Sequence, residues 1–307
     1  MSASNETTVR ERYAAAAQAA EDSLCCAVDY DAKYLKAIPR EVIERDYGCG
    51  DPSKHIRPNE TVLDLGSGTG KICFIAAQIV GPKGKVIGVD MTDDMLALAR
   101  DNAPVVAKNI GYRNVEFRKA RIQDLALDLE QLDEALTDRP LSGLDGYLEA
   151  EQIAARLRSE SPMIPSNSID VIVSNCVLNL IDSAAKQQMF AELFRVLKHG
   201  GRAVISDIVG SDDVPEAMQQ DPELWSGCIS GALREDRFIR AFADNGFDPI
   251  RILNRAEKPW RTVEKIDFRS VTVEAAKNGA NRKTEANYFM PKISTKQHSD
   301  ACGPDCC

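Results

Sequence analysis

Nine cysteines are the residues of this 307-residue chain whose type and spacing suggest chemistry. They stand at positions 25, 26, 49, 73, 176, 228, 302, 306 and 307. In a reducing compartment such thiols stay unpaired, so metal binding or catalysis is favoured over a disulfide framework. The chain has only 3 histidines, and we therefore do not expect a mechanism built on a histidine base.

Three of these cysteines stand beside glycine-rich or strand-terminal loops. Cys49 is flanked by two glycines, Cys176 directly follows an apolar stretch, and Cys228 lies in another glycine-flanked loop. Ligands of open α/β sheets bind outside the carboxyl ends of the strands, so we expect these thiols to converge above one ligand. Three thiolates suit a soft, three-coordinate thiophile. Zinc is an alternative, with Cys25, Cys26 or water as its fourth ligand.

The simpler interpretation is that each free cysteine is a small buried hydrophobe. We adopt it for Cys73, which lies inside a predicted helix, on the face expected to pack against the sheet.

A second group of residues that suggests chemistry lies in the stretch 62–71. Its apolar run contains Asp64, and glycines follow at positions 66, 68 and 70. A dinucleotide fingerprint would be G-x-G-x-x-G. The D-x-G-x-G-x-G spacing instead resembles the first motif of class I methyltransferases, which bind S-adenosylmethionine. A carboxylate beside the turn would repel a pyrophosphate and attract an ammonium or sulfonium group. Asp90 ends the next apolar run, where a carboxylate can accept ribose hydroxyls.

These strand ends predict a site for S-adenosylmethionine. The glycines allow close backbone approach, Met91 is expected to pack on the adenine face, and residues 120–124 should lie beside the adenine. The predicted cofactor residues are Asp64, Gly66, Ser67, Gly68, Gly70, Asp90, Met91, Ile122, Gln123, Asp124 and Asn175.

Strands and helices must hold these residues in place, and the pattern of these elements in the sequence predicts an α/β fold. We expect a doubly wound, Rossmann-like class I methyltransferase sheet with a helical insertion and a polar C-terminal tail. We divide the chain into an N-terminal helical cap with cysteines (1–55), a cofactor-binding domain (56–210), a substrate-side loop, helix and final strands (211–273), and a flexible cysteine-containing tail (274–307). The helical insertion at 125–165 is interpreted either as a lid or substrate-side cap, or as a decoration without chemistry.

Local signals add three expectations. Thr92 is predicted to be the N-cap of a helix. Gly143 and Gly146 are expected to break the helical pattern of the insertion. A helix is predicted over 182–197, with the run 199–201, His-Gly-Gly, as its C-terminal stop and the following strand at 202–206.

The net charge of -9 argues against nucleic acid or an anionic membrane as the main partner. No apolar run is long enough to span a bilayer, and the polar residues 1–12 do not resemble a signal peptide. We therefore expect a soluble, cytoplasmic protein.

Five segments resemble the arsenite methyltransferase family and occur in that family's order: 47–50, 63–70, 89–92, 174–180 and 228–233. The sequences Y-G-C-G and S-N-C-V-L-N-L are the most selective. The resemblance implies that Cys49, Cys176 and Cys228 hold trivalent arsenic, which accepts methyl groups from S-adenosylmethionine in arsenic detoxification. It also implies that Cys25 or Cys26 forms a disulfide with Cys49 during turnover, which thioredoxin or a small thiol reduces.

Two other functions are open on the sequence. A class I methyltransferase for a small organic acceptor would use the cysteines only for packing. A soft-metal or arsenic-binding protein would take up the ion without methyl transfer, although it would need neither the glycine turn nor Asp90. The tail residues Cys302, Cys306 and Cys307 either capture a soft ion or are idle.

Overall fold

The computed structural model describes residues 5–19, 21, 28–137, 139 and 142–278. Their strands form one eight-stranded sheet. The strands are β1 (Thr61–Leu65), β2 (Lys85–Asp90), β3 (Val115–Lys119), β4 (Ile169–Asn175), β5 (Leu197–Gly210), β6 (Ile250–Arg255), β7 (Arg261–Val263) and β8 (Ile266–Ala276).

The strand order is β3-β2-β1-β4-β5-β8-β6, with β7 beside β8. The first five strands in this order are parallel, and β8 runs antiparallel to both β5 and β6. The chain leaves β1 toward β2 on one side and returns to β4 on the other. This reversal makes the β1/β4 edge the topological switch point, where ligands of doubly wound sheets bind. The predicted fold class is confirmed.

Helices cover both faces of the sheet. They are α1 (Asn5–Gln18), α2 (Ala32–Leu35), α3 (Arg40–Glu44), α4 (Lys71–Val80), α5 (Asp93–Ile110), α6 (Leu129–Leu136), α7 (Gly143–Glu160), α8 (Ser183–Val196), α9 (Glu216–Gln219), α10 (Pro222–Ser226) and α11 (Glu235–Asp244). None of the described helices is long and apolar enough to cross a membrane.

The core has two halves because successive strand residues point to opposite faces. In β1, Val62 packs into one apolar cluster with Phe74 of α4, whereas Leu63 and Leu65 pack into the other with Phe190 of α8. All of these side chains are buried. The sheet is therefore fixed on both faces, and its carboxyl edge is a rigid platform.

Thr92 is the N-cap residue of α5, as predicted, although its side chain makes no capping hydrogen bond and its backbone N–H donates to Asp90. The helix α8 spans Ser183–Val196, within one residue of its predicted bounds. Two local expectations need correction. Gly146 does not break α7 but lies buried within it. The strand β5 begins at Leu197 and not at residue 202, because Leu197 already pairs with Ile169 in the sheet.

The glycine pair 200–201 thus lies inside β5, where the register to β4 shifts. Gly200 has a φ of 82°, so the glycine pair does provide a left-handed residue, but this residue lies within a strand and not at the end of a helix. The short elements α9, α10 and β7 were not predicted.

Candidate active site

A cleft of about 970 Å³, partly open to solvent, runs along the carboxyl edge of the parallel strands. Residues that follow four neighbouring strands line it, and α1 contributes Glu6, Val9 and Tyr13. The strand-end residues are Gly66 and Gly68 after β1, Asp90, Met91 and Thr92 at β2, Ala120, Ile122 and Gln123 after β3, and Asn175, Cys176 and Val177 at β4. The cleft therefore follows the sheet edge from β3 across to β4.

Asp90 fixes the glycine loop at the middle of this cleft. One carboxylate oxygen accepts the N–H of Gly68 at 2.9 Å, and the other accepts the N–H of Thr92 at 2.8 Å. Burial raises the pKa of Asp90, which the backbone donors partly oppose. The carboxylate lies at the wall of the cleft in a defined orientation, with lone pairs to offer a bound molecule.

Seven of the predicted cofactor residues line the cleft, namely Gly66, Gly68, Asp90, Met91, Ile122, Gln123 and Asn175. The other four, Asp64, Ser67, Gly70 and Asp124, are not among the residues that line it. Gly70 caps α4 and packs toward Phe117, and Asp124 forms an ion pair with Arg158 of the insertion at 2.8 Å. Ser67 is buried, and its hydroxyl has no hydrogen-bond partner among the described residues.

Asp64 lies buried beneath the glycine loop. Its carboxylate accepts a hydrogen bond from the Cys73 thiol at 3.2 Å. Burial raises the pKa of Asp64 to about 7, although this hydrogen bond opposes the shift. Cys73 is thus a core residue, and Asp64 supports the loop from below.

Cys49, Cys176 and Cys228 lie in one apolar cluster next to the β4 end of the cleft. All three side chains are buried, and Cys176 also lines the cleft. The thiol of Cys176 contacts those of both Cys49 and Cys228. The Cys228 thiol donates a hydrogen bond to the backbone carbonyl of Cys176 at 3.1 Å. The structure therefore brings together the three thiols that the sequence singled out.

The surroundings keep the thiols of Cys176 and Cys228 protonated when no ligand is present. The contact with Cys176, together with burial, raises the pKa of Cys228 well above its ordinary value. At Cys176 the Cys228 hydrogen bond lowers the pKa, but the Cys49 contact and burial outweigh it. A thiophile that binds thiolates must therefore displace protons as it binds.

The thiols touch, but they are not already arranged around an ion. Within residues that the structure describes, no group of three or more His, Cys, Asp or Glu side chains has the geometry of a metal site. Binding of a trivalent ion requires the Cys228 thiol to leave the Cys176 carbonyl. The three thiols therefore form a cluster that has to rearrange before all three sulfurs can bind one ion.

Asn175 anchors the loop that carries Cys49. Its side-chain oxygen accepts the N–H groups of Cys49 and Gly50 at 2.9 and 3.1 Å. Its side-chain nitrogen donates to the Gly50 carbonyl at 2.7 Å and to the Tyr30 hydroxyl at 3.0 Å. A Cβ at Gly48 would overlap this amide, so only glycine permits the approach. Asn175 thus ties the end of β4 to the Cys49 loop.

A second network holds the other two thiol loops. Asp207, fully buried in β5, accepts the N–H of Leu178 at 2.9 Å, and Lys186 of α8 donates to the Leu178 carbonyl at 2.7 Å. Asn179 donates to the carbonyls of Ile208 and Cys228. These bonds stabilise a costly backbone, because Cys176 and Cys228 have φ angles of 63° and 61°.

Sequence reasoning missed Tyr13, Asp46 and Tyr47, which line the cleft. The Tyr13 hydroxyl lies 4.0 Å from the Cys228 thiol, and its ring packs edge-on against Tyr47. Tyr47 is the first residue of the Y-G-C-G segment and Asp46 directly precedes it, which was a usable signal. Tyr13 had none, because only the tertiary fold brings α1 over the cleft.

Cys25 and Cys26 lie outside the described residues, and so do Cys302, Cys306 and Cys307.

The Methyltransferase domain family matches residues 56–257, and the chain belongs to this family. An arsenite methyltransferase of Halobacterium salinarum is 34% identical over 273 residues, which are 81% of this chain and 59% of the relative. That of Homo sapiens is 33% identical over 221 residues, 71% of this chain and 49% of the relative.

The crystal structure of an arsenic(III) S-adenosylmethionine methyltransferase from Chlamydomonas reinhardtii is 30% identical. It matches with a TM-score of 0.63 over 81% of this chain and 73% of that chain. The resemblance to arsenite methyltransferases is thereby confirmed. The chain spans about half to three-fifths of the length of the two curated relatives.

Proposed function

We propose that this chain is an S-adenosylmethionine-dependent methyltransferase that transfers methyl groups to trivalent arsenic held by the thiolates of Cys49, Cys176 and Cys228. The observation that carries the proposal is the meeting of three buried thiols, from three separate loops, beside the cleft that Cys176 lines. The relatives named arsenite methyltransferases support the choice of substrate.

The residues of the cleft fit S-adenosylmethionine. Apolar side chains and a few polar groups line the cleft, which is typical of small-molecule sites. When bound, this cofactor supplies a methyl group activated by a positively charged sulfur. The backbone of Gly66 and Gly68 would lie against it, Asp90 would accept its ribose hydroxyls, and Met91 with the loop at 122–123 would hold the adenine. Asp64, Ser67, Gly70 and Asp124 would act indirectly, by supporting the loops that make these contacts.

The protein contributes to the reaction by holding the two reactants in position. Trivalent arsenic carries a lone pair and no proton that must be removed, so the site needs no general base. Three thiolates hold the arsenic, and Cys176 at the end of β4 places it next to the cleft. Alignment of two bound reactants can account for about 7–11 kcal/mol of the barrier.

We also propose that methyl transfer to the arsenic lone pair leaves pentavalent arsenic. Cys49 and either Cys25 or Cys26 then give up two electrons to return the arsenic to the trivalent state and form a disulfide, which thioredoxin or a small thiol reduces. A reducing compartment, the cytoplasm, suits thiols that must stay free. We also propose the boundaries at residues 55 and 210, with residues 1–55 as a cap and the segment from residue 211 on the substrate side. The predicted boundary at residue 273 falls inside β8, which continues to Ala276.

The test is to incubate the reduced protein with arsenite and labelled S-adenosylmethionine and to separate the arsenic products. We expect methylated arsenic from the unaltered chain and from Cys73→Ser, and none from Cys228→Ser. Cofactor binding without any arsenic product would reject the arsenite assignment. Arsenic uptake without cofactor binding would instead favour a soft-metal binding protein.

One observation favours a second candidate, a methyltransferase for a small organic acceptor. The three thiols pack among apolar side chains like ordinary core residues, with exposed fractions of 5, 9 and 5%. This candidate predicts that Cys49→Ser and Cys228→Ser leave turnover of the acceptor intact, provided that both variants fold.

A further inference from the structure

Asp46 is a buried carboxylate at the wall of the cleft, directly before the loop that carries Cys49. Its side chain is 8% exposed, and it lines the cleft. One oxygen, Oδ1, lies 3.5 Å from the position that a Cβ on Gly68 would occupy. The carboxylate is therefore held over the middle of the glycine loop.

Lys71, the first residue of α4, holds Asp46 in place. Its ammonium lies 2.9 Å from Oδ2 of Asp46 and 3.2 Å from the Asp46 carbonyl oxygen, and it stacks over the Tyr30 ring at 4.6 Å. Burial raises the pKa of Asp46, while the charge of Lys71 lowers it. A second cation on the cleft side would further stabilise the ionised form.

Gly68 thus has a carboxylate on either side. Its N–H donates to Asp90, and Asp46 lies over its Cα. Asp90 ends β2, and Cys176 follows β4 on the other side of β1. A ligand whose nucleoside occupies the β2 and β3 ends would extend its other end across the glycine loop, past Asp46, toward the thiols.

We propose that Asp46, positioned by Lys71, is the receptor for the α-ammonium group of an amino-acid-bearing ligand, which here is the methionine end of the cofactor. This inference rests on the proposed function. The ion pair between Asp46 and this ammonium group also makes binding specific, because a nucleoside that lacks the amino-acid end cannot form it. A phosphate-bearing ligand would be repelled at the same place.

The experiment compares two probes by calorimetric titration. S-adenosylhomocysteine carries the amino-acid end, and 5′-methylthioadenosine has the same nucleoside and thioether without it. For Asp46→Asn we expect the Kd of S-adenosylhomocysteine to rise about ten- to hundredfold, the range of a lost charge-assisted hydrogen bond. The Kd of 5′-methylthioadenosine should not change.

The matched control is Asp170→Asn, which makes the same change in the Asp170–Lys198 ion pair, where Nζ lies 2.8 Å from Oδ1. Neither Asp170 nor Lys198 lines the cleft, and both affinities should stay unchanged. Equal loss of both probes in Asp46→Asn would show that the ion pair only supports the loop, and no loss of either would overturn the proposal.

A measurement on the unaltered chain covers the case in which Asp46→Asn does not fold. The desamino analogue of S-adenosylhomocysteine keeps the carboxylate and lacks the ammonium. We expect it to bind about tenfold or more weakly than S-adenosylhomocysteine, and equal affinities would overturn the proposal. If the unaltered chain binds neither S-adenosylhomocysteine nor 5′-methylthioadenosine, the proposed function itself fails.

Discussion

Asp64 connects the stability of the protein to pH. The buried carboxyl has a pKa of about 7 in the folded chain, against an ordinary value of 3.8. Between these two values the unfolded chain has lost the proton and the folded chain keeps it. The folded state therefore binds more protons, and the contribution of Asp64 to stability is lost as the pH rises through this window.

We predict that Asp64→Asn removes this pH dependence. The free energy of unfolding of the unaltered chain, relative to the variant, should fall by up to about 1.4 kcal/mol for each pH unit in the window. Urea unfolding at a series of pH values measures it.

Asp170→Asn is the control, because the pKa of Asp170 is shifted in the opposite direction to that of Asp64. Its Lys198 partner and the N–H of Thr61 hold the pKa of Asp170 below its ordinary value against the effect of burial. The stability that Asp170 contributes is present above the unfolded pKa and is lost as the pH falls toward the folded pKa. Parallel pH profiles for the unaltered chain and Asp64→Asn would contradict the buried, protonated state.

At the scale of elements, the loop that carries Cys49 depends on the close approach of Gly48 to Asn175. We predict that Gly48→Ala displaces the Asn175 amide and weakens its bonds to Cys49 and Gly50. Overpacking of this kind costs about 1–3 kcal/mol. Arsenite affinity, measured by competition with a dithiol chelator, should fall along with the unfolding free energy.

Gly81→Ala is the comparison, since nothing lies within 4 Å of its added Cβ and only its φ of 72° is unfavourable. With a ψ of -173° as well, this backbone conformation is open essentially only to glycine, so the change should lower stability by about 1–3 kcal/mol and leave arsenite affinity unchanged. If both variants lose arsenite affinity in proportion to their stability, the Cys49 loop has no special role.

The insertion is a second element with a testable role. None of its described residues lines the cleft, and α6 and α7 pack on each other. Hydrogen bonds from Met163 to Ala126 and from Ile164 to Leu125 close its base. These facts favour a decoration over a lid. We predict that replacement of residues 129–160 by a short Gly-Ser linker leaves a folded chain with unchanged affinity for S-adenosylhomocysteine.

Loss of that affinity in a folded variant would restore the lid interpretation. Arg158→Ala tests a contact between α7 and the loop after β3, the ion pair with Asp124. Such partly exposed pairs contribute about 0–1 kcal/mol, so this change should have little effect.

Helices and strands could be predicted from the sequence where the local residue pattern and the tertiary contacts favour the same structure. The strand β1 coincides with the apolar run before the glycines, because an apolar run followed by a glycine turn has one common structure. The strand β5 begins five residues earlier than predicted, at Leu197, because a glycine pair inside a strand looks locally like a helix stop. Tertiary pairing decided that boundary.

At the scale of the whole molecule, the doubly wound sheet explains how residues far apart in sequence meet. Asp90 and Cys176 follow strands on either side of β1, so strand order alone places them along one edge. The sequence therefore indicated the part of the cleft that the strand ends form. It could not indicate Tyr13 or the Asp46–Lys71 pair, because these depend on how the N-terminal elements pack over that edge.

The central claim is that Cys49, Cys176 and Cys228 together hold trivalent arsenic. X-ray absorption at the arsenic edge, on the reduced protein loaded with one equivalent of arsenite, measures the number of sulfur neighbours directly. The account predicts three sulfurs for the unaltered chain and for Cys73→Ser, and two for Cys176→Ser. An oxygen-coordinated arsenic in the unaltered chain, or three sulfurs in Cys176→Ser, would contradict it.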